Sequence, residues 1–517
     1  MKKVVGLMLV LLSTGWGPAL RAQEPPSKTP ASETKTPASP PPQAEQSVTE
    51  HSITVEGKPL EYTATAGTLI LRNEKDEPVA SMGYVAYAKK GVEDFNRRPV
   101  TFAYNGGPGS SSIWLHMGAL GPRRVAARDV EPTPPPPYKL VDNPHTLLDR
   151  SDLVLIDPVG TGLSRAVGKA KDKDFWGVDP DIESVSRFIA QYVSKNNRWN
   201  SPKYLLGESY GTMRSAGVVN YLQTREGMAF NGVILVSVFV DARTVVFVPG
   251  NDLAHILFLP TYAAVAWFHN VVPNRPESLE AFLEDVRAFA AGDYADALMK
   301  GDRLDESERT AVVKRLSAYT GLDADYLDKA NLRVTEGQFT KELLRRHHLT
   351  VGRLDSRFTG VSFNLLGEEA SYDPQSASIS PAYTAAFLHY YHNELRFGRG
   401  KTYTVSNRKL FTHWEFKHQA PGTRFPISSL PNTGPDLARA MGYNPGLQVL
   451  VLNGYFDLAT PFFATEYTMD HLGLEESLRS NIHMKYYPAG HMMYLQESSL
   501  AQMKKDVSHF IEATLHP

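Results

Sequence analysis

The sequence of 517 residues contains no cysteine. This absence excludes disulfide bonds, a thiol nucleophile, and zinc or iron–sulfur centres held by cysteine. The formal net charge is only −2, so neither nucleic acid nor an anionic membrane is favoured as a partner. Long apolar runs are also scarce. The best candidate beyond the N-terminus, residues 256–268, is short and is interrupted by Pro260, so we expect no membrane-spanning helix there.

Residues 1–22 have the pattern of an export signal peptide. Lys2 and Lys3 precede an apolar core at residues 4–12, and small residues follow as far as Ala22, where we expect cleavage. The apolar core is too short to cross a bilayer, and a retained membrane anchor is the alternative. We therefore expect an exported protein, periplasmic or extracellular, with no integral membrane segment after cleavage.

Residues 23–47 predict a disordered linker. They are dominated by Pro, Ser, Thr, Ala and charged residues, and Lys-Thr-Pro-Ala-Ser occurs twice. Such a segment has too little apolar surface to form a packed core. The remainder of the chain is long enough for one large domain with an inserted subdomain.

Short apolar runs alternate with helical patterns along much of the chain. Such alternation predicts an α/β fold, with a mostly parallel sheet covered by helices on both faces. A meander of four antiparallel runs is predicted within residues 52–88. The further predicted strands are 99–104, 152–156, 204–206, 232–236, 447–452 and 483–487, and the predicted helices of the core are 176–197, 212–222 and 498–515.

The alternation stops between about residues 241 and 430. Helical patterns such as 277–289 and 306–316 predominate there. We interpret residues 241–430 as a helical cap inserted into the α/β core, which is formed by residues 48–240 and 431–517. The cap is expected to cover the edge of the sheet at which the parallel strands end.

Ser209 lies in the sequence Gly-Glu-Ser-Tyr-Gly, between a predicted strand and a predicted helix. Such a turn exposes a serine hydroxyl at the end of a sheet. A serine nucleophile also needs a base and a group that orients the base. Asp457 and His491 follow the last two strands, in the order Ser, Asp, His of α/β-hydrolases. The alternatives are an ordinary turn serine, a helix N-cap at Asp457 and a structural histidine at 491.

Two further features surround the predicted nucleophile. Glycines after the strand that ends at residue 104 make the backbone N–H of Gly107 a candidate oxyanion donor, together with that of Tyr210. Glu208 is unexpected beside a nucleophile, because a carboxylate repels an anionic intermediate. A protonated Glu208, with Asn105, can instead bind a substrate carboxylate, whose charge raises the pKa of Glu208. An exposed turn residue is the alternative for Glu208.

Five motifs resemble those of the serine carboxypeptidase family, peptidase family S10, in its bacterial, cathepsin A-like branch. The resemblance implies an α/β-hydrolase fold with a helical insertion, and release of single residues from peptide C-termini through an acyl-enzyme. The motifs span about residues 85–515 in family order. They are 105–111 (Asn-Gly-Gly-Pro-Gly-Ser-Ser), 157–162 (Asp-Pro-Val-Gly-Thr-Gly), 207–210 (Gly-Glu-Ser-Tyr), 453–457 (Asn-Gly-Tyr-Phe-Asp) and 489–492 (Ala-Gly-His-Met).

The resemblance also implies roles for seven residues. It favours a functional role for the glutamate beside the nucleophile over an exposed turn residue. The implied roles are catalytic for Ser209, Asp457 and His491, oxyanion-binding for Gly107 and Tyr210, and carboxylate-binding for Asn105 and Glu208.

The chain departs from the familiar eukaryotic members of the family at two positions. Ala103 replaces a tryptophan, so carboxylate recognition is expected to be looser, and Ser110 replaces a cysteine. No cofactor or metal is expected, because His389 and His392 have no attendant acidic cluster. The expected partners are peptides with a free C-terminus. The alternative functions are an esterase or acyltransferase that uses the same triad, and a noncatalytic binding protein of this fold.

Overall fold

The computed structural model describes residues 42–515. The predicted signal peptide and most of the predicted linker therefore lie outside the described residues. From Pro42 onward the chain forms one compact unit. Its first strand begins at Gln46, at the end of the predicted linker.

Fourteen strands lie within residues 42–515, and ten of them form one sheet. Each predicted strand of the core is present. The strands are β1 (Gln46–Val55), β2 (Lys58–Arg72), β3 (Pro78–Lys89), β4 (Val100–Tyr104), β5 (Arg123–Val125), β6 (Leu140–Asp142), β7 (Asp152–Ile156), β8 (Arg165–Ala166), β9 (Lys203–Ser209), β10 (Gly232–Val238), β11 (Leu349–Val351), β12 (Thr359–Val361), β13 (Gln448–Gly454) and β14 (Ile482–Tyr487).

The large sheet has the order β1-β2-β3-β7-β4-β9-β10-β13-β14, with β8 paired to β3. Neighbours from β7 to β14 are parallel, while β1, β2 and β3 form an antiparallel edge that joins β7. The mostly parallel α/β sheet is thus confirmed. The four-run meander is wrong in one respect: the second and third runs are one strand, β2, because its buried pattern continues from Leu60 to Leu71 without a turn.

Fifteen α-helices lie within the same part of the chain, and the predicted helices correspond to them apart from their ends. They are α1 (Ile113–Leu115), α2 (Val178–Lys195), α3 (Tyr210–Arg225), α4 (Asp252–Phe268), α5 (Leu279–Phe289), α6 (Ala295–Lys300), α7 (Glu306–Thr320), α8 (Ala324–Lys329), α9 (Glu336–Glu342), α10 (Pro374–Asn393), α11 (Arg408–Thr412), α12 (Gly434–Tyr443), α13 (Phe462–Asp470), α14 (Glu476–Arg479) and α15 (Glu497–Leu515).

Both faces of the sheet are covered. Successive side chains of a strand point to opposite faces, and β7 illustrates this. Leu153 and Leu155 pack in a cluster with α10 and α15, whereas Val154 and Ile156 pack in a second cluster with α2, α3 and α12. This double burial explains why the central strands are continuous apolar runs rather than alternating ones.

The predicted cap region has two structurally different parts. Helices α4 to α9 bury their apolar side chains in a third cluster, which Phe456 and Phe462 also join. In contrast, Tyr383 and Tyr390 of α10 pack in the cluster on one face of the sheet. The boundaries 241–430 therefore stay a prediction, because part of that region belongs to the packing of the core.

Residues 256–268 lie in α4, whose side chains are buried in the third cluster. Among the described helices, none has the length and apolar character needed to cross a membrane.

Candidate active site

Ser209 ends β9 and directly precedes α3, in a strained turn. Its φ of 60° and ψ of −129° lie in a region that non-glycine residues rarely adopt. Neighbouring glycines permit the turn. A Cβ on Gly207 would lie 2.2 Å from the carbonyl oxygen of Gly211, and one on Gly106 would lie 2.4 Å from the backbone nitrogen of Tyr210. Because any side chain at these two positions clashes with the backbone, the turn requires glycine there.

Asp457 and His491 lie side by side. The Nδ1 atom of His491 is 2.7 Å from Oδ2 of Asp457. The other carboxylate oxygen accepts hydrogen bonds from the backbone N–H groups of Ala459 at 2.8 Å and Thr460 at 3.0 Å, and the Thr460 hydroxyl donates to Oδ2 at 2.6 Å. Both residues are buried. A carboxylate fixed in this way holds the imidazole with its proton on Nδ1.

Asp457 is not the N-cap of the helix that follows it, so that alternative is wrong. Helix α13 begins at Phe462, and its N-cap residue is Pro461. Asp457 instead accepts hydrogen bonds within the turn before the helix. Its side chain is therefore available to orient the imidazole of His491.

The loop that carries His491 is held from two sides. The backbone N–H of His491 donates to the carbonyl oxygen of Leu354 at 2.6 Å, and its own carbonyl accepts from the Ser237 hydroxyl at 2.7 Å. Burial lowers the pKa of His491, but the negative charges of Asp457 and Glu208 raise it, so that the pKa lies above its ordinary value. The loop thus places a basic imidazole beside two carboxyl groups.

Ser209 lines a cavity of about 350 Å³. Gly107 and Thr460 are also in its wall. Within the described residues, the side-chain hydrogen bonds of the His491 imidazole go to Asp457 and Thr460, and the Ser209 hydroxyl makes none with it. The structure therefore joins His491 directly to Asp457. Ser209 lines the same cavity as Thr460, and Thr460 contacts both His491 and Asp457.

The remaining wall of this cavity is largely apolar. Arg353 is the only charged residue among the described residues of the wall. The principal apolar residues are Phe239, Val245, Val246, Leu354, Phe411 and Phe416. An apolar cavity beside a serine suits the side chain of a substrate next to the bond that is cleaved.

The two candidate oxyanion donors lie in segments of the chain that contact each other. Gly107 follows β4 with a φ of 106°, and the adjacent Gly106 approaches the backbone nitrogen of Tyr210 closely. Tyr210 is the first residue of α3, where backbone N–H groups lack helical partners. Both predicted donors thus lie beside the Ser209 turn.

Glu208 is buried, with 3% of its surface exposed, so the alternative of an exposed turn residue is wrong. Asn105 Nδ2 donates a hydrogen bond to Oε1 of Glu208 at 2.8 Å. The hydroxyl of Tyr494 donates to Oε2 at 2.7 Å. Sequence analysis missed Tyr494, whose only signal is its position three residues after His491. Asn105 and Glu208 are not part of the described cavity wall.

The pKa of Glu208 is raised to about 7. Burial is the largest cause, and the charge of Asp457 also raises it, while His491, Tyr494 and Asn105 lower it. Sequence analysis attributed the raised pKa to a substrate carboxylate, but burial by the protein itself already raises it. Near neutral pH this side chain can therefore carry a proton.

A buried ion pair between Arg214 and Asp181 contacts the segments next to the Ser209 turn. Arg214 of α3 donates from Nε to Asp181 Oδ2 at 2.7 Å and from Nη1 to the carbonyl oxygen of Asn105 at 2.8 Å. Its guanidinium carbon lies 5.1 Å from the ring centroid of Tyr104 and 5.2 Å from that of Tyr210. Sequence analysis missed Arg214, because a helical pattern does not reveal that an arginine is buried.

No group of three or more His, Asp or Glu side chains within residues 42–515 is arranged to hold a metal ion. His389 instead contacts Asn393, with 3.1 Å between its Nδ1 and the amide nitrogen.

Residues 63–240 match the family model described as serine carboxypeptidase. The match confirms the family resemblance drawn from the motifs. It includes the segments that carry Asn105, Gly107 and Ser209, and it ends before Asp457 and His491. The finer assignment to a bacterial, cathepsin A-like branch stays a prediction.

Among solved structures, the chain is similar to Kex1(Δ)p, a prohormone-processing carboxypeptidase from Saccharomyces cerevisiae. The TM-score is 0.54 with 15% sequence identity, over 87% of this chain and 91% of that chain. At this identity the likeness shows the fold, which is that of the α/β-hydrolases.

Proline iminopeptidase from Mycobacterium smegmatis is less similar, with a TM-score of 0.33, 13% identity, and coverage of 90% of this chain and 99% of that chain. A putative aryl esterase from Burkholderia cenocepacia has a TM-score of 0.38 and 12% identity, with coverage of 87% and 100%. The fold assignment rests on the carboxypeptidase alone. No curated protein gives a significant match.

Proposed function

We propose that this hydrolase of the serine carboxypeptidase type is exported and releases amino acids from the C-termini of peptides through an acyl-enzyme on Ser209. One arrangement carries the proposal. The strained Ser209 turn borders a cavity shared with Thr460, which contacts both Asp457 and His491. Glu208, the residue before Ser209, is hydrogen-bonded to Asn105.

In the first half-reaction, Nε2 of His491 accepts the proton of the Ser209 hydroxyl. The serine oxygen forms a bond to the carbonyl carbon of the last peptide bond. This step requires the hydroxyl and Nε2 to come within hydrogen-bond distance, about 3 Å. Asp457, at 2.7 Å from Nδ1, stabilises the imidazolium ion that forms.

The negative charge of the tetrahedral intermediate then needs donors. The backbone N–H groups of Gly107 and Tyr210 supply them. The carbon–nitrogen bond breaks, the imidazolium of His491 gives its proton to the amine, and a free amino acid leaves. Water then attacks the ester by the same proton route, which releases the shortened peptide and restores Ser209.

The preference for a free C-terminus is assigned to Glu208 and Asn105. A protonated Glu208 can donate a hydrogen bond to the substrate carboxylate, whereas an ionised one repels it. Its pKa of about 7 makes the protonated form abundant at neutral and acidic pH. Hydrolysis of free-acid peptides should therefore decline as the pH rises above this value.

Two experiments on the purified protein test this function. An active-site fluorophosphonate should label the wild type and the control S194A, whose serine is exposed on α2, but not S209A. A panel of N-blocked dipeptides, each as the free acid and as the amide, should show faster release from the free acid. Hydrolysis of short esters without any turnover of free-acid peptides would favour an esterase or acyltransferase instead. Absence of labelling would indicate a noncatalytic binding protein.

Export rests on the N-terminal pattern, which lies outside the described residues. We expect the N-terminal sequence of the protein from the periplasm or the medium to begin shortly after Ala22. An intact N-terminus on a membrane-bound protein would indicate a retained anchor instead.

A further inference from the structure

Tyr494 lies in the short 3₁₀ turn Met493–Leu495, which is separated from His491 by one residue, Met492. Only 1% of its surface is exposed. The ring fills the space beside Gly118, where a Cβ would lie 2.5 Å from the ring atom Cε2. Because the ring is closely packed, the hydroxyl is held where it donates to Oε2 of Glu208, at 2.7 Å.

Each oxygen of Glu208 has one side-chain donor. Asn105 serves Oε1 and Tyr494 serves Oε2. The amide of Asn105 is held in turn, because its Oδ1 accepts from the backbone N–H of Leu115 at 3.0 Å. The carboxyl group is therefore fixed in one orientation by donors from two different parts of the chain, the loop after β4 and the loop after β14.

Charged and titratable groups face Glu208 from several elements. They are His491 and Tyr494 on the loop after β14, Asp457 on the loop after β13, and Tyr383 on α10. Among these, Tyr494 donates a hydrogen bond to the carboxyl itself. A donor to a carboxylate stabilises its ionised form and so lowers its affinity for a proton.

We propose that Tyr494 is a positioning residue of the carboxylate-binding site, which holds Glu208 in its orientation and sets the pH range over which Glu208 keeps its proton. The inference rests on the proposed carboxypeptidase function. Tyr494 also connects the carboxyl group of Glu208 to the loop of His491. One short segment of the chain therefore carries both the catalytic base and a residue that positions the group binding the C-terminus.

The test compares Y494F with the matched control Y487F. Tyr487 is also a buried tyrosine whose hydroxyl donates to a carboxylate, that of Asp506 at 2.8 Å, but it lies on β14 and its partner is on α15. Both variants and the wild type are assayed across pH on an N-blocked dipeptide and on its methyl ester. The protonation of Glu208 is followed separately by infrared spectroscopy of its carboxyl band, with E208Q to identify the band.

We expect Y494F to raise KM for the free-acid dipeptide about tenfold at acidic pH, where Glu208 is protonated in both proteins and only its orientation differs, with kcat changed by less than about twofold. The alkaline limb of its kcat/KM should move up by about one pH unit, and so should the midpoint of the carboxyl band. Hydrolysis of the methyl ester should stay as in the wild type, because the ester has no carboxylate to bind. Y487F should leave all of these values unchanged.

Two results would overturn the inference. The first is an unchanged carboxyl midpoint in Y494F, which applies whatever the substrate of the enzyme is. The second is an equal loss of free-acid and ester hydrolysis, which indicates a structural role only. Failure of the proposed function would give a different result, because the wild type itself would then hydrolyse the ester and not the free acid. In that case Tyr494 could not be assigned to a carboxylate-binding site.

Discussion

Nη1 of Arg214 donates a hydrogen bond of 2.8 Å to the carbonyl oxygen of Asn105. The same side chain pairs with Asp181 and is fully buried. Asn105 in turn donates to Glu208. The ion pair therefore links α2 and α3 to the loop that carries the candidate carboxylate-binding residue, and the candidate active site depends on a buried charge.

Loss of this arginine should destabilise the protein strongly. R214M leaves the buried carboxylate of Asp181 without its partner, and we expect the free energy of unfolding to fall by about 3 to 5 kcal/mol. Urea unfolding followed by circular dichroism measures it. The double variant D181L/R214M should recover most of the loss, because both charges are then removed.

The matched control for R214M is R309M. Arg309 pairs with Asp328 at a partly exposed site, so its removal should cost less than about 1 kcal/mol. Equal destabilisation by R214M and R309M would show that burial of the Arg214 pair has no special effect.

Asp457 should matter for turnover rather than for binding. D457N removes the acceptor that keeps the proton of His491 on Nδ1, and we expect kcat to fall by about 10³ to 10⁴. KM should change little, since Asp457 is buried behind the imidazole. Steady-state kinetics on an N-blocked dipeptide measure both values.

D506N is the control for D457N. Asp506 accepts a hydrogen bond from Tyr487 on the outer part of the sheet, and its replacement should leave kcat within about twofold. If D457N keeps a kcat close to that of the wild type, Asp457 does not orient the base.

The acidic limb of the pH profile should depend on Glu208. Its negative charge raises the pKa of His491, and the imidazole must be neutral to accept the proton of Ser209. In the pH range where Glu208 is ionised, E208Q removes that charge, so the pKa of His491 should fall and the acidic limb of kcat/KM should move to lower pH. The assay uses a methyl ester, because it has no carboxylate whose binding would also change.

The opposite result is informative as well. A shift of the acidic limb to higher pH in E208Q would mean that Glu208 does not support the protonated imidazole. For free-acid peptides, E208Q should also lose the alkaline limb near the Glu208 pKa of about 7, because glutamine does not ionise.

His418 should make stability depend on pH. Burial lowers its pKa, but hydrogen bonds to Asp179 and Asp436 raise it, to about 9 overall. The protonated imidazole is thus favoured in the folded state. Its contribution is fully present below the ordinary pKa of 6.5 and is lost as the pH rises through about 9.

We expect the free energy of unfolding of the wild type to decrease by on the order of 2 kcal/mol over this window, because Asp179 is partly exposed to solvent. Urea unfolding between these pH values measures the change. H418Q should be less stable at low pH and should show a flatter profile. A profile of H418Q parallel to that of the wild type would contradict the assignment.

Much of the fold could be predicted because the signals are local. The continuous apolar run of β7 and the strand–turn–helix pattern around Ser209 are visible in consecutive residues, and both were found. The long strand β2 was divided in the prediction, because small residues around Gly67 resemble a turn in the sequence. The packing of β1 and β3 on either side keeps this segment extended.

The candidate site could be predicted only in part. Ser209, Asp457 and His491 have motifs of their own, so their residue types and order were readable. Tyr494 and Arg214 have none, because their importance comes from what they contact. A motif also does not show that Glu208 is buried. The raised pKa of Glu208 is therefore predicted from a bound ligand, whereas burial by the protein is its main cause.

The amino-acid sequence by itself determined the class of fold, the position of the serine turn and the order of the residues that serve it, because each is written in short-range patterns of glycine, charge and hydrophobicity. The tertiary structure alone decided which distant side chains meet, as Tyr494 does with Glu208. Hydrogen bonds and burial act through space, and their strength depends on a separation of a few ångströms between atoms that lie hundreds of residues apart in the chain.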